Sequence, residues 1–82
     1  MDTQAHLVQR LIDILVERFD IEPGLARPQT TFDELELDSL VLVEISIMVE
    51  REFGTPVEEG LLDLTQTVEE AATALRAVGA AI

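Results

Sequence analysis

The side chain best placed to do chemistry is the Ser39 hydroxyl, which follows Asp38 and opens a long apolar-rich run within residues 35–53, LELDSLVLVEISIMVEREF. Asp38 and Ser39 are short polar residues that accept from the orphan N–H groups of a helix start, so a helix is expected to begin at Ser39. A hydroxyl there lies where the backbone N–H groups and the helix dipole favour an anion, and a phosphate ester on it would be electrostatically accommodated. A plain N-cap is the other account of the same serine. A hydrolytic nucleophile is not indicated, because Glu-Leu-Asp-Ser-Leu-Val stands where a Gly-x-Ser-x-Gly elbow would be needed. The only histidine, His6, is remote in sequence and is expected in water. With no cysteine and no second histidine, neither a catalytic triad nor a metal site is expected. The acidic run at residues 33–38 also fails as a calcium loop, since Leu35, Leu37 and Asp38 fall where two oxygen ligands and a glycine are required.

The helix that presents Ser39 has two apolar rows. At about 100° per residue, Leu42, Ile45, Val49 and Phe53 fall on one side as a core-facing stripe. Leu40, Val43 and Ile47 form a second row on the opposite side, beside Glu44. Either this is a central helix buried all round, or the second row is an exposed apolar patch with an acidic border, the mark of a partner site.

Asp38-Ser39-Leu40, preceded by Phe32 and Leu35 and followed by a helix ending Glu50-Arg51-Glu52-Phe53-Gly54, resembles the phosphopantetheine attachment region of acyl carrier proteins. The likeness extends over nearly the whole chain. One position departs: the family commonly has glycine two residues before the aspartate, and Glu36 stands there. The resemblance implies that a phosphopantetheinyl transferase moves 4'-phosphopantetheine from coenzyme A onto Ser39, whose arm then holds acyl groups as thioesters. Asp38 would assist by contacting the transferase or its magnesium, or would serve only to cap the helix. On this reading the chain is a carrier and not an enzyme.

The partner face then has Leu40, Val43 and Ile47 at its centre and Glu36, Glu44, Glu50, Glu58 and Glu59 as an acidic rim that steers basic surfaces. Expected partners are the transferase, an acyltransferase or acyl-loading ligase, and ketosynthase-type enzymes with basic docking patches. Glu36, Val41-Leu42 and the absence of lysine lean towards a stand-alone carrier of polyketide or related secondary metabolism, such as antibiotic biosynthesis, rather than housekeeping fatty-acid synthesis. An aminoacyl or peptidyl carrier and an unmodified acidic adaptor domain stay open as alternatives.

Composition sets the limits within which this works. A chain of 82 residues is expected to form one domain, residues 1–82, burying only about 60–65% of its unfolded surface. Seventeen acids stand against five bases, all arginine, for a net charge of −12. That charge repels nucleic acid phosphates and anionic membranes and favours encounters with basic protein surfaces. Residues 33–70 hold twelve of the acids and one base, so partners are expected on the middle of the chain. No apolar run approaches the roughly 20 residues that span a bilayer, and the first residues lack a basic, apolar leader. A monomer in the cytoplasm is expected.

In chain order, Leu7, Val8, Leu11, Ile12, Leu15 and Phe19 predict an amphipathic helix over residues 3–19, capped by Asp2 or Thr3. Pro23, Gly24 and Pro28 make residues 20–31 a long connection, anchored by Phe32 and Leu35. Gly54 is expected to end the second helix in a left-handed cap, with Val57 turned inward. Residues 58–63 are expected to form a short helix weakened by Gly60, with Leu61 and Leu62 as its apolar contacts. Thr67 and Glu70 form a capping box that starts the last helix at Val68, followed by Ala71, Ala72, Leu75 and Val78 at helical spacing. Gly79 ends it, and residues 80–82 are expected to fray. The result is an all-α four-helix bundle of three main helices and one short one, with a long loop between the first and second.

Overall fold

The computed structural model describes residues 3–58 and 60–79. Three helices form: α1 (Thr3–Phe19), α2 (Ser39–Phe53) and α3 (Val68–Ala77). Local chemistry sets both ends of α2 and the start of α3. Asp38 is extended and its Oδ1 accepts from the Val41 N–H at 3.0 Å, which caps α2. Gly54, at φ +67, donates its N–H to Glu50 O and closes the other end. The left-handed C-cap is a place where glycine has no Cβ penalty. At α3 both halves of the capping box are made, Glu70 N to Thr67 Oγ1 at 3.0 Å and Thr67 N to Glu70 Oε1 at 2.8 Å. Thr3 is already helical, and Asp2 lies outside the described residues.

Leu7, Leu11, Ile14 and Leu15 of α1 meet Ile45 and Val49 of α2 and Val68, Ala71, Ala72 and Leu75 of α3, with the Phe32 ring fully enclosed among them. The alanines let α3 approach closely, and α1 against α3 is the tightest helix pair. The stripe on α1 is centred between Leu11 and Leu15. Ile14 is therefore buried, although the sequence reading passed over it, while Ile12 and Phe19 sit at the edge and are only partly covered. Two other expectations need correction. Phe53, in the last turn of α2, is half-buried, and Val78, one residue beyond α3, is 43% exposed.

The long connection is fixed by hydrogen bonds. Phe32 N donates to Gln66 O and Asp33 N to Leu64 O, at 3.2 and 2.9 Å. In return Val68 N donates to Thr30 O and Glu69 N to Pro28 O, both at 3.0 Å. Thr31 and Thr67 pair as an isolated antiparallel bridge. The first N–H groups of α3, which lack intrahelical partners, are thus satisfied by loop carbonyls.

Among the described residues no fourth helix forms. Within the stretch 58–63 that was expected to be helical, Gly60, Leu61 and Leu62 are turn and bend, with a Leu61 N–H to Glu58 O bond. Side chains intercept the groups a helix would need: Gln66 accepts from Asp63 N and donates to Leu61 O, while Asp63 accepts from Thr65 N and Oγ1. Gly60, at φ +91, points the backbone away from helical geometry. Leu62 and Val57 are nevertheless buried and Leu61 is half-buried, so the apolar contacts are made without the helix. Residues 80–82 lie outside the described residues. None of the described helices is long and apolar enough to cross a membrane.

Candidate functional site

Ser39 is the first helical residue of α2, and it is exposed. The cap that the sequence allowed either residue to provide is made by Asp38, leaving the Ser39 hydroxyl with no hydrogen-bond partner among the described residues. An unengaged hydroxyl at a helix tip, open to solvent and beside unsatisfied N–H groups, can be esterified without breaking any bond of the fold. The negative charge of a phosphodiester placed there would meet the positive end of the helix dipole.

The approach to Ser39 is set by the loop before it. Leu35 N donates to Phe32 O and Glu36 N to Asp33 O, a tight turn that carries the buried Phe32 and Leu35 into the core. This turn requires Glu36 at φ +60, in the left-handed region that favours glycine. The family's usual glycine two residues before the aspartate thus has a conformational reason that still operates here. Glu36 adopts that geometry and projects an exposed carboxylate close to the site.

A cleft of about 220 Å³ opens beside Ser39, lined by Leu42, Val43, Ser46, Gly60 and Leu62. Around it, Leu40 is 65% exposed, Val43 43% and Ile47 44%, so the second apolar row of α2 faces water and the helix is not buried all round. Glu44 and Glu58 are exposed, as a charged border requires. Glu50 is placed differently from its expected position on that border. It is half-buried, and its Oε1 accepts from the Val57 N–H at 2.7 Å, which fastens the segment after α2 back onto the helix. Glu59 lies outside the described residues. The sequence reading missed Ser46, whose polarity in an apolar helix was the available signal. It also missed Leu25, which stands 56% exposed on the long loop.

His6 is partly buried in the first turn of α1, a different element from the one that carries Ser39. Arg10 of α1 pairs with Glu52 of α2 through its Nε at 2.7 and 2.8 Å, which holds its pKa above the ordinary value and ties the two helices together.

Comparison with known proteins points to one family. A family model described as a phosphopantetheine attachment site matches residues 9–75. The meromycolate extension acyl carrier protein of Mycolicibacterium smegmatis is 34% identical over 67 residues, covering 80% of this chain and 68% of that protein. Its counterpart in Mycobacterium leprae is 32% identical over 72 residues, 87% of this chain and 63% of the relative. The acyl carrier protein of Petrotoga mobilis is 31% identical over 74 residues, 89% and 87% of the two chains. The chain therefore spans about two thirds of the mycobacterial relatives and most of the Petrotoga one. No solved structure matches it.

Proposed function

Because the chain belongs to the phosphopantetheine-attachment family that includes acyl carrier proteins, we propose that Ser39 is the residue its prosthetic group is joined to. The family carries 4'-phosphopantetheine and presents acyl groups to the enzymes of fatty-acid- or polyketide-type synthesis, and that is the function of this chain. When bound, the group supplies a flexible arm ending in a thiol that holds acyl groups as thioesters. The residues present suit it: a solvent-facing hydroxyl released from capping duty by Asp38, N–H groups directed at the phosphate position, and a cleft alongside. The observation that carries the assignment is the division of labour between Asp38 and Ser39, one capping the helix and the other left free.

Asp38 takes the second role in the attachment step, presenting the carboxylate edge not used by Val41 to the transferase or its magnesium. Leu40, Val43 and Ile47 form the apolar centre of the docking face, rimmed by Glu36, Glu44 and Glu58, with Glu50 turned to a structural task. Acyl-handling enzymes with basic patches, among them an acyl-loading enzyme and a ketosynthase, are the partners of this face. The reading requires no catalytic group on the carrier itself. It takes residues 1–82 as one monomeric carrier unit working in the cytosol, where coenzyme A is met.

The name of the Mycolicibacterium smegmatis relative speaks of meromycolate extension, and that of the Petrotoga mobilis relative only of an acyl carrier. Service in polyketide or other secondary metabolism remains our reading of Glu36 and of the lysine-free composition. The test is intact mass after incubation with coenzyme A and a broad-specificity phosphopantetheinyl transferase. A gain of one phosphopantetheinyl group that disappears in Ser39→Ala supports the assignment. A gain that survives the substitution moves the attachment elsewhere, and no gain in the wild type returns the chain to an unmodified adaptor.

A further inference from the structure

The cleft beside Ser39 contains one side chain that its surroundings do not explain. Ser46 lies seven residues after Ser39 on α2, about 10 Å further along the axis and on nearly the same side. It is half-buried and lines the cleft with Leu42, Val43 and Leu62. Its hydroxyl donates to Leu42 O at 2.9 Å, a bond within its own helix. This spends the only proton and leaves the oxygen's acceptor capacity facing a cleft whose other side chains, Ser39 apart, are apolar. Serine bonded back to the carbonyl four residues earlier is a poorer helix former than alanine. Among the described residues the hydroxyl joins no second element, so it costs the fold a little and returns nothing to it.

We propose that Ser46 is a positioning residue for the arm, its oxygen accepting an N–H from one of the arm's amide groups so that the arm lies along α2 in this cleft. The inference rests on attachment at Ser39. The match is one of chemical order. After its phosphate, the arm presents a branched apolar carbon and then amides. After Ser39 the cleft presents Leu42, Val43 and Leu62 and then the acceptor of Ser46. A half-buried acceptor gains from a donor where water reaches it less freely, and an arm held here runs beside the exposed Val43.

The test uses the full chain loaded with the arm but no acyl group, with intact mass confirming loading and Ser39→Ala as the unloaded control. Proton exchange of the arm's amides and their nuclear Overhauser contacts are then measured in wild type, Ser46→Ala and Ser46→Thr. The expected result is contact between an arm amide proton and the Leu42 and Leu62 methyls. Exchange of that proton should be at least threefold slower than in free pantetheine, lost in Ser46→Ala and regained in Ser46→Thr. The melting temperature of Ser46→Ala should not fall, which separates positioning from a structural role. Free-rate exchange in the loaded wild type, or equal protection in Ser46→Ala, overturns the proposal. A wild type that gains no mass instead overturns the attachment to Ser39 on which it rests.

Discussion

Glu36 shows how much a single position can carry. Its φ of +60 places an L-residue with a Cβ in the left-handed region, at a cost of about 1–2 kcal/mol. A glycine there would remove that cost and give back about 0.5–1 kcal/mol in chain entropy. Glu36→Gly should therefore stabilise the fold by about 0.5 kcal/mol, and Glu36→Val, with a branched Cβ, should destabilise it by about 1 kcal/mol or more, both read by denaturant midpoints. Equal midpoints for the two variants would show that the turn does not hold this geometry in solution. The sequence contained the clue, a departure from the family's glycine, but not its consequence, because φ is set by the turn that buries Phe32 and Leu35. The helix start was equally legible, since Asp38 and Ser39 are both capping types. Which of them caps was settled only by backbone direction, with Asp38 extended and Ser39 already helical. The role of Glu50 could not be read at all. Its carboxylate serves an N–H seven residues away, and no local pattern announces that.

At the level of elements, the two rows of α2 make opposite predictions. Val43→Ala and Ile47→Ala remove side chains that are already more than two-fifths exposed, so the melting temperature should barely move while reactions with partner enzymes slow. Ile45→Ala, at a fully buried position, should cost about 2–5 kcal/mol. A similar loss at Val43 would place it in the core. Helical periodicity found both rows and the starts of all three helices, because apolar spacing and capping residues are local signals. It failed at residues 58–63, where Gln66, Asp63 and Thr65 compete for the same backbone groups through side chains that lie beyond the segment. That competing turn has its own pH signature. The Asp63 carboxyl is held below its ordinary pKa by the Thr65 N–H and hydroxyl. A carboxyl whose folded pKa is depressed stabilises the fold above its unfolded pKa and loses that contribution as pH falls through the folded value. Asp63→Ala should therefore melt below the wild type at neutral pH, with the gap closing below the ordinary carboxylate range. A gap that stays constant with pH would assign the loss to something other than the charge.

Over the whole molecule, charge is the dominant property. A net −12, with twelve acids in residues 33–70, surrounds an apolar patch that a neutral helix would offer to any greasy surface. The acids give discrimination in place of grip: they raise the encounter rate with basic faces and repel acidic ones. Glu44, exposed beside Ile47, should show this most directly. Glu44→Gln should slow association with a basic partner enzyme several-fold at low salt and much less at about 0.5 M, where the Debye length is only a few ångströms. Equal slowing at both salts would make Glu44 a contact residue. Composition disclosed this behaviour before any fold was known, since total charge needs no coordinates. What it could not disclose is the seam that joins the chain's middle to its last helix, where Pro28 and Thr30 carbonyls hold the opening N–H groups of α3. Helix beginnings normally fray first and independently, but this one is latched to the loop that delivers Ser39. Displacing that loop, as a docking enzyme could, therefore strips the opening N–H groups of α3 of their partners as well as moving the approach to α2.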